Sequence, residues 1–473
     1  MATVTRAVIK SVNPATEEVL GRFPLFSDDQ VDRALDAAES AFHSWSQTTF
    51  DERAEGFRRV AAYMRTHRAR LAGLITAEMG KPIAQSEAEI EKCAWNCDFY
   101  ADNARAFLAD QPHPSSATES YVAFDPLGPL LAIMPWNFPF WQLFRFAAPA
   151  MMAGNTALLK HASNVPQCAL AIEEVFRTCG FPDGVFQTLL IAGSTADKVI
   201  ADRRVAAVTI TGSNATGRKV AQAAGAVTKK TVLELGGSDP FIVLEDAALE
   251  EAARVAVRSR FQNAGQSCIA AKRFIVVDAE ADAFLDLMVA EARLLKMGDP
   301  SDRATDIGPM ARADLREILA RQVSDSIARG ATVALGGFRP RGPGFYYSPT
   351  ILAGVRPDMP VFREETFGPV AAVVRASDTD EAIRLANDSL YGLGASLWTR
   401  DVVKAKVLAR QIQAGSVFVN GMVASDPRLP FGGVKGSGYG RELSEFGIRE
   451  FTNIKTIWIG PSTEEQALRQ PAE

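Results

Sequence analysis

Three side chains in this sequence suit acyl chemistry: the thiol of Cys268 in FQNAGQSCIAAKR, the carboxyl of Glu234 in TVLELGGSDP and the amide of Asn137 in PWNFP. The thiolate is the reactive form of cysteine, so Cys268 needs access and a base. Gly265 permits an unusual backbone turn just ahead of it, and its small polar neighbours leave the sulfur accessible. The other reading is a small apolar filler, because free cysteine is among the most buried residue types. A Cys-His hydrolase needs an imidazole, and none of His43, His67, His113 and His161 stands in a setting that looks like a base. Glu234 is the remaining candidate. It lies in an apolar strand ending in Gly-Gly, where desolvation raises a carboxyl pKa, and a salt-bridged strand residue fits the same pattern. Asn137, between two prolines, is held in a stiff turn that suits a fixed donor to an oxyanion and equally suits ordinary turn chemistry.

Two further positions suit anions. Lys160 closes the apolar run TALLK and Ser163 follows it, at the carboxyl edge of a parallel sheet, where ligands bind. An acid there would clasp ribose hydroxyls and repel a 2′-phosphate; Ser163 permits the phosphate and Lys160 can neutralise it. A solvated surface lysine is the bland alternative. In AAVTITGSNATGRKVAQAAG, a strand, a Gly-Ser turn and a helix bring Ser213 and a helix N-terminus to where a pyrophosphate can meet them, with a spacing outside the usual dinucleotide fingerprint. Arg145 follows Trp141 by one helical turn on a helix beginning near Pro139, so the two share a face beside the Asn137 turn. A guanidinium on an otherwise apolar helix needs an anion, and a substrate carboxylate or an internal acid would each satisfy it.

The elements that must position these groups are legible as periodic runs. Residues 28–110 carry long helical patterns, the first opened by Asp28 and Asp29. From 128 onward short β-rich runs alternate with helices (LLAIMPW, TALLK, FQTLLI, AAVTIT, TVLEL), the rhythm of βαβ units and a mainly parallel sheet. A second series of the same kind runs from FIVL through RFIVVD, ATVALGG, AAVVRA and SVFVNG, which puts a boundary near 237–243. KGSGYG has no strand leading into it and reads as a turn. SYVAFDP and EFTNIKTIWIG read as exposed strands whose edges can recruit another copy.

Bulk properties exclude several classes. A chain of 473 residues with 47% hydrophobic and 23% charged residues is a multi-domain globular protein. A net charge of -5, with both signs scattered, offers no basic face for nucleic acid or anionic lipid. Residues 127–144 carry no charge, but Pro129, Pro135 and Pro139 each remove a backbone donor that lipid cannot replace, so no membrane span is expected. Five cysteines without paired, zinc-like spacing imply no metal site, and with an N-terminus lacking the apolar core of a signal peptide they fit a reducing cytoplasm.

PWNFP, LLKHAS, TGSNATG, LELGGSDP, QNAGQSC, EETFGPV and PFGGVKGSGYGRE occur in an order that resembles the aldehyde dehydrogenase superfamily over nearly the whole chain. MPWNFPFWQLFRFAAP, ELGGSDPFIVL, AAKRF and NGMVASDPRLPFGG look closest to its succinate-semialdehyde dehydrogenase branch. The resemblance implies an α/β fold of two Rossmann-like parallel-sheet domains with a small β element. Residues 1–112 and 128–238 would bind NAD(P), 239–440 would carry the catalytic cysteine, and 113–127 with 441–473 would mediate a homodimer or homotetramer. It implies Cys268 as nucleophile, Glu234 as general base and Asn137 as oxyanion donor. Ile133, Pro135, Trp136, Lys160, Ser163, Gly193, Thr211, Gly212, Ser213, Leu235, Glu365 and Phe367 would line the cofactor, NADP preferred with NAD as the alternative. Arg145, Trp141 and Ser425 would meet a small semialdehyde. The activity implied is oxidation of succinic semialdehyde to succinate, as in GABA degradation; the alternatives are NAD(P)-dependent oxidation of another short aliphatic or semialdehyde substrate, or a catalytically silent structural protein of the same fold. In two places the chain departs from the family pattern. Asn453 stands where many members carry Glu, so no proton relay through that position is implied, and Ala270 stands where some carry a second cysteine, so no local redox disulfide is expected.

Overall fold

Local signals explain where the helices start. A computed structural model describes residues 7–460; residues 1–6 of the first expected domain and 461–473 of the expected oligomerisation segment lie outside the described residues. An antiparallel hairpin, β1 (Val8–Val12) and β2 (Val19–Pro24), leads into four helices: α1 (Asp28–Trp45), α2 (Phe50–Thr66), α3 (Arg68–Met79) and α4 (Ile83–Phe107). Ser27 and Gln30 cap α1 reciprocally, Thr49 and Glu52 do the same for α2, and the acids of each first turn oppose the helix dipole. The strands β3 (Gln111–Pro112) and β4 (Glu119–Pro126) follow.

The first large sheet contains β5 (Pro129–Met134), β6 (Thr156–His161), β7 (Phe186–Thr188), β8 (Ala207–Thr211) and β9 (Lys230–Glu234). Its helices are α5 (Trp141–Met152), α6 (Pro166–Thr178), α7 (Gly193–Ala201) and α8 (Asn214–Gly225). Strand β5 is buried at every position, which is why PLLAIM is apolar without alternation. The uncharged stretch 127–144 is thus this strand, a proline-rich turn and the start of α5. Among the described residues no helix is long and apolar enough to cross a membrane.

The second large sheet comprises β10 (Asp239–Val243), β11 (Ala271–Val277), β12 (Thr332–Leu335), β13 (Thr350–Ala353), β14 (Val370–Ala376), β15 (Gly394–Trp398) and β16 (Ser416–Val419), with α9 (Leu249–Phe261) leading from β10 to the Cys268 loop. The order is β12-β13-β14-β11-β10-β15-β16, parallel except for β12, so the chain changes sheets between Glu234 and Asp239.

KGSGYG departs from its reading as a plain turn. Lys435–Ser437 form a short 3-10 turn, but Gly438 and Tyr439 are a strand, β17, antiparallel to β9 opposite Glu234 and Leu233. It completes the first sheet in the order β17-β9-β8-β5-β6-β7. Gly438 has φ of 112°, and a Cβ there would lie 1.9 Å from the Leu233 carbonyl oxygen, so only glycine lets this segment lie alongside β9. Two residues are too short to show alternation, which is why the sequence hides the strand. SYVAFDP and the tail segment pair with each other: β18 (Thr452–Ile459) runs antiparallel to β4 from Thr452 opposite Pro126 to Ile459 opposite Glu119.

Aromatic packing makes α5 rigid. Phe144 stacks on Phe176 of α6 with centroids 5.5 Å apart, and Phe176 stacks on Phe186 at 4.5 Å and meets Phe57 of α2 edge-on. Burying each ring contributes about 2–3 kcal/mol. Asn96 Nδ2 of α4 donates to the Phe144 carbonyl at 2.9 Å. The helix that carries Trp141 and Arg145 is therefore fixed on three sides.

Candidate active site

The Cys268 loop is held in a strained conformation by side chains on its flanks. Asn263 and Ala264 have φ of 53° and 51°, and Gly265 has 72°, three left-handed residues in succession. For the two non-glycine residues this costs about 1–2 kcal/mol each. A Cβ at Gly265 would lie 2.3 Å from the Gly368 carbonyl oxygen, which explains the glycine. Asn263 Nδ2 donates to the carbonyls of Asn137 (2.9 Å) and Gln266 (3.1 Å), and Asn137 Nδ2 donates to Gln266 O at 3.1 Å. The buried Lys272 donates to Ser267 O (3.0 Å) and Cys268 O (2.8 Å). Asn137 is thus brought to the nucleophile loop, with one of its two N–H groups already used.

Cys268 is partly exposed where it meets a cavity. Burial pushes its thiol up to about 12, against the pull of Arg145 and Lys272, so the resting group is a thiol. Sequence reasoning passed over Lys272; its signal is a lysine near the start of an apolar strand, the mirror of Lys160 near the end of one.

Glu234 ends β9 buried, and neither carboxylate oxygen has a hydrogen-bond partner among the described residues. Burial raises its pKa well above the ordinary carboxylate value and the charge of Glu442 raises it further, with Arg145 opposing. Burial and the second carboxyl outweigh the guanidinium groups of Arg145 and Arg441, so Glu234 retains its proton more tightly than a solvated acid. It does not line the Cys268 cavity.

Arg145 resolves one of the open alternatives. It lines the cavity with Trp141, but it is 1% exposed and its guanidinium forms an ion pair with buried Glu442, over the ring of Phe431 at 4.3 Å. The internal acid is thus present, and Arg145 faces both it and the cavity. Arg145→Ala strands Glu442, and we expect a loss of about 3–5 kcal/mol. Without Arg145 the folded-state pKa of Glu442 rises further above its unfolded value, so the variant loses stability as pH rises. Urea-unfolding midpoints at pH 5.5 and 8 check this: a midpoint equal to that of the parent at both would contradict it.

The N-terminus of α5 has no cap from its own segment. Glu89 of α4 accepts from the N–H groups of Phe140 (2.9 Å) and Trp141 (3.0 Å) and pairs with buried Lys81. His161, held down to about 4 by burial, bonds to Pro139 O at 2.9 Å and so braces the same turn as a neutral ring. Neither role has a local sequence signal, since each acts across 20 residues or more.

At the carboxyl edge of the first sheet stand the expected anion-binding groups. Lys160, next to last in β6, has its pKa lowered by burial and no acid partner among the described residues; Ser163 is exposed just beyond the strand. Ser213 is the N-cap of α8, its hydroxyl accepting from Thr216 N at 3.3 Å, and Gly193 opens α7 with open space where a Cβ would stand. Ile133 and Pro135 lie at and just past the end of β5, and Thr211 and Gly212 at and just past that of β8. Gly212 N donates to Glu234 O at 3.0 Å, and Leu235 N to Ser437 O at 2.9 Å. Across the cleft Glu365 accepts from Gly237 N at 3.1 Å and lies 3.6 Å from Lys272, while Phe367 meets Trp136 edge-on at 5.7 Å.

The cavity itself measures about 600 Å³ and its lining includes the apolar Phe138, Trp141, Ile269 and Phe431 and the polar Cys268, Arg145, Ser425 and Lys92. Ser425 is buried and accepts from Lys92 Nζ at 2.8 Å. Lys92 was not singled out in the sequence, where EIEKCAWNC reads only as helix.

Comparison with known proteins agrees with this geometry. A model of the aldehyde dehydrogenase family matches residues 2–457. A Synechocystis sp. protein named probable succinate-semialdehyde dehydrogenase (NADP(+)) is 53% identical over 451 residues, 95% of this chain and 99% of that protein. The Mycobacterium tuberculosis protein named succinate-semialdehyde dehydrogenase (NADP(+)) 1 is 50% identical over 454 residues, again 95% and 99%. The crystal structure of succinic semialdehyde dehydrogenase from Streptococcus pyogenes in complex with NADP+ superposes with a TM-score of 0.94 at 38% identity, over 96% of this chain and 100% of that one. With the expected two-sheet α/β fold, the cysteine loop and the family match in agreement, the chain belongs to the aldehyde dehydrogenase family.

Proposed function

We propose that the protein oxidises succinic semialdehyde to succinate with NADP+, through a thioester on Cys268. The observation that carries this reading is a cavity joining an accessible thiol to an anion-receptive wall, in a chain half identical to proteins named for that activity. The Cys268 thiol gives up its proton to solvent in the cavity, its sulfur bonds to the aldehyde carbon, and the Asn137 amide with the Cys268 N–H holds the oxyanion. NADP+, when bound, supplies the hydride acceptor. Glu234 takes a proton from the water that attacks the thioester, releasing the acid and the sulfur. This requires the Glu234 carboxyl to turn from its buried position toward the cavity.

The residues present fit the cofactor. Lys160, a half-buried ammonium without an internal acid, suits the 2′-phosphate; neutral Ser163 admits it, and Gly193 and the Ser213 cap leave donors for the pyrophosphate. Ile133, Pro135, Trp136, Thr211, Gly212 and Leu235 line that edge, and Glu365 with Phe367 borders the nicotinamide end. By this reading residues 1–112 and 128–238 form the cofactor domain and 239–440 the catalytic domain. Segments 113–127 and 441–473 mediate a homodimer or homotetramer, supported by the exposed Ile454, Trp458 and Ile459 of β18. We place the enzyme in the cytoplasm, in the breakdown of GABA.

A panel of aldehydes assayed with both oxidised cofactors tests the proposal. Succinic semialdehyde gives the highest kcat/KM of the panel, and NADP+ exceeds NAD+ by about tenfold or more, the effect of one charge-assisted contact. A preference for NAD+, or for a neutral aldehyde, would overturn the corresponding half.

A further inference from the structure

Two cations that line the cavity have no ion pair among the described residues, the exposed Arg258 and the more enclosed Lys92. Lys92 projects from α4 onto the Trp141 ring, 4.4 Å from its centroid, and its single hydrogen bond among the described residues is to the Ser425 hydroxyl. The charged groups facing it are Arg145 on α5, Asp426 beside Ser425, and Glu89 on its own helix, with the Cys93 thiol next to it. Each acid is committed elsewhere. Glu89 pairs with Lys81 and caps α5, and Asp426 forms an ion pair with Arg428 at 2.6 Å. Of the other cations lining the cavity, Arg145 has Glu442 and Arg254 has Glu251.

Resting on the reading given above, we infer that Lys92 is the counter-ion for the tail carboxylate of the substrate, acting with the Ser425 hydroxyl. Lys92 gives one N–H to Ser425 and keeps two for the anion; Ser425, accepting from Lys92, keeps its own O–H to donate to the same carboxylate. Trp141 flanks the ammonium and the apolar wall flanks the short methylene chain. An aldehyde without a tail charge leaves this ammonium unpaired, so the wall selects semialdehydes rather than short aldehydes in general. Burial, with Arg145 adding to it, brings Lys92 down to about 8, so it is half charged near that pH and loses its charge as pH rises through it. Affinity for the semialdehyde therefore weakens above pH 8, relative to a neutral aldehyde of similar length.

Steady-state kinetics of Lys92→Met and Lys92→Arg in the full-length protein, with succinic semialdehyde and butanal, test this. Lys92→Met raises KM for succinic semialdehyde by about ten- to a hundredfold, leaves KM for butanal within about twofold, and abolishes the pH dependence of their ratio between pH 7 and 9.5; Lys92→Arg retains most of the discrimination. An equal change for both aldehydes, or no change for either, would overturn the inference. Turnover of butanal by the same preparation shows that the variant is folded. Wild-type enzyme that prefers another aldehyde would remove the proposed function alone. In that case inhibition by succinate against butanal decides: a tenfold rise in the inhibition constant in Lys92→Met supports the carboxylate site, and an unchanged constant refutes it.

Discussion

Replacing Cys268 with serine lowers kcat/KM for succinic semialdehyde by about 10⁴-fold or more, while the affinity for NADP+ is unchanged. The loop explains the size of the effect. Asn263, Ala264 and Gly265 are held in left-handed backbone by Asn137, Gln266, Lys272 and Arg260, and this framework aims one sulfur at the cavity. A serine oxygen keeps the position but has a much higher pKa, and as an ester the product of the first half-reaction is less electrophilic than a thioester. The other four cysteines, Cys93, Cys97, Cys168 and Cys179, are buried, so none can substitute. Stopped-flow absorbance of the reduced nicotinamide reads the loss, and fluorescence titration of NADP+ shows the cofactor site intact.

Glu234→Gln lowers steady-state kcat by about 10²–10⁴-fold, the usual worth of a positioned general base, yet retains a first-turnover burst of one reduced cofactor per site. The amide conserves shape and removes only proton acceptance, so thioester formation proceeds and its hydrolysis stalls. Burial and the neighbouring Glu442 raise the Glu234 pKa, and the sign follows: the base form grows as pH rises through that pKa, so kcat of the parent climbs with pH over the same interval. In the variant that limb disappears. A burst that shrinks in step with kcat would mean that Glu234 acts before the thioester.

Glu234, Lys160 and Ser213 stood out in the sequence because each sits where a periodic run ends: Glu234 closes TVLE, Lys160 closes TALLK, Ser213 caps the next helix. Their placement is encoded locally. What the sequence hid acts at long range. Glu442 lies in a glycine-rich stretch that reads as a turn, and only the pairing of β17 with β9 brings the following residues to Arg145. Glu89 and Lys92 belong to a helix with residues of every kind around its circumference, and their roles appear only when α4 packs against α5. Arg145 shows the same division: its need for an anion was legible, and which anion was not. The two β segments at 120–126 and 450–460 were recognisable as strands, whereas their pairing with each other is a tertiary fact.

The most direct test of the acyl-enzyme account is mass spectrometry of Glu234→Gln quenched in acid after one turnover with succinic semialdehyde and NADP+. A succinyl group on the peptide containing Cys268, in amount equal to the reduced cofactor formed, is the predicted result. Reduced cofactor formed in full with that peptide unmodified, or with the acyl group on another residue, would contradict it.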